Sequence, residues 1–262
     1  MKTRHPIFLL LGLILFWSCQ PDPDSIDPLV VTVDSIAAQS RYCAEDSERC
    51  TQVSVLLPVA LGGREGVSQR INDSLSLYSC QMIGFGDDPD PDPRISVQRF
   101  VSEYDRFVEE GEPSLLPPWE CWQEGEVLLQ TDSLLSVRIS TFSYTGGAHP
   151  NTEVVLAVFH LSDGRELRFS DVIENEKLFS ELAARYFRQS KGVQTKKDLF
   201  EAGFFWEGEF KLPDNFAFTQ DGILLFYNSY EVAPYSLGPT EYTIPWAQLK
   251  GIARKASWMP AI

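Results

Sequence analysis

LLSVRISTFSYTGGAHPNTEVVLAVFHL, residues 134–161, reads as two strands either side of a tight polar turn, and it decides the fold. Leu134–Tyr144 is apolar enough to lie in a sheet. Glu153–Leu161 is nearly continuously apolar, the pattern of a strand buried on both faces. Gly146-Gly147 opens backbone torsions closed to other residues, so the chain can turn sharply between paired strands. Working outward, Thr131-Asp132-Ser133 joins Trp119–Gln130 to the first strand as an antiparallel partner. On the other side Ser162-Asp163-Gly164 turns the last strand back into Arg165–Phe169.

Toward the N-terminus a strand begins near Leu29 with Val31, Val33 and Ile36. Thr51–Val59 places Val53, Val55 and Leu57 on one face. Val67, Ile71, Leu75 and Tyr78 then recur at helical spacing, predicting a helix over 65–79. A second helix over 95–110 carries Val97, Val101, Tyr104 and Val108. Toward the C-terminus Ser170 suits a helix cap, with helix to about residue 189 through Leu178, Leu182 and Tyr186. A short helix near 195–203 leads to strands at Phe216–Phe218 and Ile223–Asn228 around Gln220-Asp221-Gly222. Glu241–Pro245 is the last strand, and Trp246–Ile252 a short helix. Elements come in blocks rather than in βαβ alternation. That argues α+β, a mainly antiparallel sheet with helices packed on it. Two halves of related size, 29–145 and 146–262, are expected to share one core.

The first 28 residues have a different character. Lys2 and Arg4 precede an apolar run, Ile7–Trp17, too short to span a bilayer, which takes ~20 residues. It reads as an export signal, residues 1–18. Ser18-Cys19 resembles the lipobox of bacterial lipoproteins, which makes Cys19 the lipid attachment point; an ordinary secretory signal is the alternative. Residues 19–28 alternate proline with aspartate and form an acidic tether. The expected location is the cell envelope, anchored by lipid alone to the outer membrane, at its periplasmic face or on the cell surface. Formal charge over the 262 residues is −15, and −17 once Lys2 and Arg4 are removed. So acidic a chain repels nucleic acid and favours basic partners.

In an oxidising compartment cysteines pair. Cys43 and Cys50 flank the polar stretch AEDSER, which suits a local bridge at a hairpin tip; Cys80–Cys121 follows by elimination. A zinc site is the rival, without CxxC spacing or a nearby histidine. The aspartates of GDDPDPDPR invite a calcium reading. Counted from Asp88, however, the glycine and glutamate positions of an EF-hand loop hold Pro93 and Arg99. No cofactor or metal is expected.

TGGAHPNT (145–152) and YNSYEVAPYSLGPTEYTIPW (227–246) carry a resemblance. Together they resemble a bacterial extracytoplasmic domain family of undefined general function. It forms the outer domain of the lysozyme-sensing anti-sigma factor RsiV, and a related region precedes the catalytic domain of the peptidoglycan deacetylase PdaC. The resemblance runs over most of the chain after the tether. It implies a non-catalytic binding module whose ligand is a lysozyme-like basic protein or a peptidoglycan-type glycan. From the residues themselves, His149 either fixes its turn through a backbone hydrogen bond or contacts a ligand. Tyr230, Glu231 and Tyr235 lie in a Pro- and Gly-rich loop suited to exposure, whereas Tyr227 and Trp246 read as core. His160 reads as a satisfied core or edge histidine. Neither G-x-S-x-G nor H-E-x-x-H occurs. Glu231 and Glu241 would serve glycoside hydrolysis only if they converged. An envelope hydrolase with an unrecognised site, or a structural subunit of an outer-membrane assembly, are the alternatives.

Overall fold

A computed structural model describes residues 27–84, 90–111, 117–206 and 208–256. Cys19 and the tether up to residue 26 lie outside the described residues. Two sheets form the α+β fold. The larger holds β1 (Val30–Gln39), β2 (Gln52–Leu61), β3 (Glu120–Gln130), β4 (Leu134–Tyr144) and β5 (Asn151–His160), in that order. All pairs are antiparallel except β2–β3. Between those two parallel strands the chain makes α1 (Val67–Ile83) and α2 (Pro93–Glu110), since parallel neighbours need a long crossover. The β2–β3 register stops at Leu56–Glu124, just before Pro58, which has no N–H to donate. There the strands come so close that a Cβ on Gly125 would sit 2.2 Å from the Pro58 ring.

The helices obey their apolar stripes. Val67, Ile71, Leu75, Ser79 and Met82 are buried along α1. Asp92 caps α2 by accepting from the Arg94 N–H, with Pro93 in the first turn, where its missing N–H costs nothing. The C-terminal half adds α3 (Phe169–Val172), α4 (Glu176–Ser190), α5 (Lys196–Glu201) and a second, antiparallel sheet of β6 (Phe216–Phe218), β7 (Gly222–Tyr227) and β8 (Thr240–Pro245).

Strand alternation stacks these elements in layers. One face of the large sheet meets α1 and α2 through Val55, Ile71, Phe100, Val137, Ile139 and Phe159. On its opposite face Val154 and Leu156 of β5 pack on Ala217, Leu224 and Phe226 of the small sheet. The small sheet's other face, with Phe218, Ile223, Leu225 and Tyr227, packs on Phe179 and Phe187 of α4. Leu134 and Val158 join that outer cluster while their neighbours Leu135 and Ala157 join the inner one. Strand β5 is thus buried on both faces, as its unbroken apolar run implies. Ser136, fully buried, ties the sheets together by accepting from the Phe218 N–H at 3.0 Å.

Four expectations need correction. Arg165–Phe169 makes no strand: a single bridge joins Glu166 to Phe159, and the chain then turns into α3. Ser170 lies inside α3 rather than capping a long helix; α4 is capped by Asn175, whose side chain accepts from the Leu178 N–H. Trp246–Ile252 is reduced to one 3-10 turn, Trp246–Gln248. Cys43 and Cys50 form the expected disulfide in the β1–β2 connection, but Cys80 and Cys121 are separate buried thiols. Ser79, not Cys80, faces β3, where it hydrogen-bonds Gln123. Cys80 sits one residue round the helix and bonds Ser96 of α2. Burial pushes the Cys121 thiol up to about 12, so it stays protonated.

Candidate functional site

The β4–β5 turn and the loop after β7 are 81 residues apart at His149 and Tyr230, yet they meet. The Tyr235 hydroxyl donates to the Pro150 carbonyl at 2.9 Å, pinning the loop to the turn. Its ring stacks on His149 with centroids 3.6 Å apart and planes 16° off parallel. Tyr230 completes the group, 5.7 Å from Tyr235 and 6.2 Å from His149 between ring centroids. His149 Nδ1 lies 2.9 Å from the Pro150 carbonyl oxygen, which can only accept, so that nitrogen carries the proton. Nε2 is then free to accept from the Tyr230 hydroxyl at 3.1 Å. His149 therefore both fixes its turn and reaches the second motif.

Tyr230 is 54% exposed and occupies the left-handed backbone region at φ +69. The four-residue turn Asn228–Glu231 forces this, closed by the Glu231 N–H donating to the Asn228 carbonyl. Glu231 does not join the rings. Its carboxylate accepts from the Asn228 N–H at 2.8 Å. Burial raises its pKa, with the Asp214 charge adding to the rise and the Asn228 bond opposing it. Tyr227 and Trp246 are core residues, as expected. Burial pushes the Tyr227 phenol far up, and its hydroxyl donates to the Lys211 carbonyl.

Two residues that the sequence reading passed over hold this region in place. The Asn228 side chain accepts from the Val154 N–H and donates to the Val154 carbonyl, while Asn215 accepts from the Leu156 N–H and donates to that same carbonyl. These side-chain amides stand in for a missing strand along the free edge of β5. An asparagine at the end of each of two apolar segments, NFAF and LLFYN, is the one local signal, and it does not say which edge is sealed.

Other polar groups are committed elsewhere. Ser162 Oγ and Asp163 both approach His160 at the same nitrogen, Nδ1, whereas a nucleophile–base–acid relay needs opposite ring nitrogens. Glu241 pairs with Arg138 at 2.8 Å and Glu231 with the Asn228 backbone, so each carboxylate has its own partner. Among the described residues no group of three or more His, Cys, Asp or Glu is placed to hold a metal ion. No helix among them is long and apolar enough to cross a membrane. What the ring group offers is a cross-bonded aromatic surface with polar tips, with Tyr230 outermost.

Residues 44–152 match the family described as Deacetylase PdaC, and residues 169–247 match Protein of unknown function (DUF3298). No curated protein matches the chain. Among solved structures, a DUF3298 family member from Bacteroides fragilis superposes with a TM-score of 0.68 at 21% identity, over 87% of this chain and 94% of that one. A DUF3298 family protein from Pseudomonas aeruginosa PAO1 gives 0.65 at 20% identity, over 90% and 99%. At such identities the likeness is one of fold. The chain thus joins a PdaC-like N-terminal region to a DUF3298-like region, on a fold similar to that of the solved DUF3298 proteins.

Proposed function

We propose that this protein is a non-catalytic binding module of the cell envelope, lipid-anchored through Cys19, that docks a basic, lysozyme-like protein on the ring group. The observation that carries this reading is the convergence of His149, Tyr230 and Tyr235 at one exposed surface. Two stretches far apart in sequence meet there, already cross-bonded, so a partner would find little left to order on docking. A formal charge of −15 supports a basic partner, drawn in by long-range attraction. The Cys43–Cys50 bridge fits an oxidising compartment outside the cytoplasm.

Calorimetric titration of the protein with hen lysozyme tests this. Binding should weaken as salt rises, because the steering is electrostatic. Aromatic anchors at an interface centre are worth ~2 kcal/mol or more on truncation. Double substitution of Tyr230 and Tyr235 by alanine should therefore weaken binding well over tenfold with the circular-dichroism spectrum unchanged. Absence of binding by the unsubstituted protein at low salt would sink the proposal.

A further inference from the structure

Small-sheet packing covers part of the large sheet's outer face, at Val154 and Leu156 of β5 and at Leu134 and Ser136 of β4. Toward β1, Trp122 on the same face is 46% exposed. Cys121 and Gln123 point to the helices, so alternation sends Trp122 outward. Register puts Phe142 directly opposite it on β4. Their rings lie 5.3 Å apart between centroids and only 6° from parallel, stacked on each other, so Phe142 braces one face of the Trp122 ring. On its other side Trp122 neighbours Ser54, and Ser54 neighbours Ala37, both small, so the other face of the ring is left to border an adjoining hollow. That hollow, of about 980 Å3, is lined by Gln39, Gln52, Ser54, Glu120 and Trp122 and walled by the Cys43–Cys50 bridge.

We infer that this hollow, with Trp122 as its aromatic wall, is a glycan-binding site for an uncharged or amino-sugar pyranose unit, distinct from the ring group at His149. A pyranose presents a flat C–H face that matches the Trp122 face turned away from Phe142, and equatorial hydroxyls at its edge that match amide and hydroxyl side chains. The two glutamines and the serine supply both donors and acceptors there. Among the described residues Glu120 is the single charged one lining the hollow, which disfavours anionic sugars and, with the overall charge, a stacked nucleotide. A basic peptide stacking an arginine on Trp122 is the competing occupant. Such a site is expected to surround the guanidinium with carboxylates rather than neutral amides. The disulfide holds one wall of the hollow in place before any ligand arrives.

Chitotetraose is the probe, followed by tryptophan fluorescence and by calorimetry on the full protein. Saturable binding should appear, fall at least tenfold in Trp122→Ala and be largely retained in Trp122→Phe, which keeps a stacking face. The Tyr230/Tyr235 double alanine variant should bind chitotetraose normally, so failure here is separable from failure of the lysozyme reading. No binding by the unsubstituted protein would overturn the inference, as would equal affinity in Trp122→Ala. A Trp122-dependent preference for an arginine-rich peptide over the oligosaccharide would overturn it in favour of the other occupant.

Discussion

Tyr230 holds its ring outward at a backbone cost. A non-glycine residue at φ +69 carries strain of order 1–3 kcal/mol, and such strain gathers at contact sites. The Asn228–Glu231 turn imposes it and the Tyr235–Pro150 hydrogen bond helps to hold the loop where the ring is useful. Substitution separates the two effects. Tyr230→Ala and Tyr230→Gly both remove the ring, but only glycine accepts the left-handed region freely. Tyr230→Gly should therefore be about 1 kcal/mol more stable than Tyr230→Ala in urea denaturation, with both equally defective in lysozyme binding. Equal stability would mean that the loop relaxes and the strain is not held. Composition alone marks Tyr230 and Tyr235 as exposed aromatics among Pro and Gly. Their meeting with His149 depends on how β5 and β7 pack, which no local pattern encodes. Glu231 sat in the same run of sequence and turned to the backbone instead, because the turn's own N–H groups were nearer partners.

At the level of elements, β5 ends the large sheet, and an end strand with free N–H and C=O groups invites pairing with another chain. Asn215 and Asn228 occupy those groups at Val154 and Leu156. Replacing both by alanine leaves partly buried backbone groups without partners, at roughly 1–3 kcal/mol for each group left bare. The double variant should melt markedly lower and show more concentration-dependent association by light scattering; Asn→Asp, which can accept but not donate, should fall between. An unchanged melting temperature would show that water replaces the amides at no cost. Period explains what was legible here. Strands β2, β4, β5 and β7 and helices α1, α2 and α4 announce themselves because one face or stripe of each is apolar along its length. Arg165–Phe169 alternates in the same way, yet only Glu166 finds a bridge partner before Asp171 closes the next turn on the Arg168 N–H. The Cys80–Cys121 pairing rested on counting thiols; one residue of helical rotation, Ser79 against Cys80, decides it, and counting cannot see that.

Across the whole molecule, β4 and β5 belong to both halves at once. Leu134 and Leu135 are neighbours in sequence and both fully buried, but alternation sends Leu134 to the α4 side and Leu135 to the α1–α2 side. A boundary at residue 145 falls in the turn between these two strands, so neither half closes its apolar cluster without the other's strand. The two clusters should then melt as one. Leu134→Ala and Leu135→Ala each remove a fully buried side chain, a change that costs ~2–5 kcal/mol. If the sheet couples the clusters, each variant should lower hydrogen-exchange protection equally in α1 and in α4, and far-ultraviolet and near-ultraviolet unfolding curves should stay coincident. The alternative has a distinct signature: Leu135→Ala would loosen α1 and α2 while α4 kept its protection. That result would mean the halves are energetically separate, with the small sheet and α4 forming a unit that merely rests on β5. Burial on both faces of β5, and the Ser136 hydroxyl accepting from Phe218 across the layers, argue for coupling, because losing either cluster exposes strands that the other needs in place.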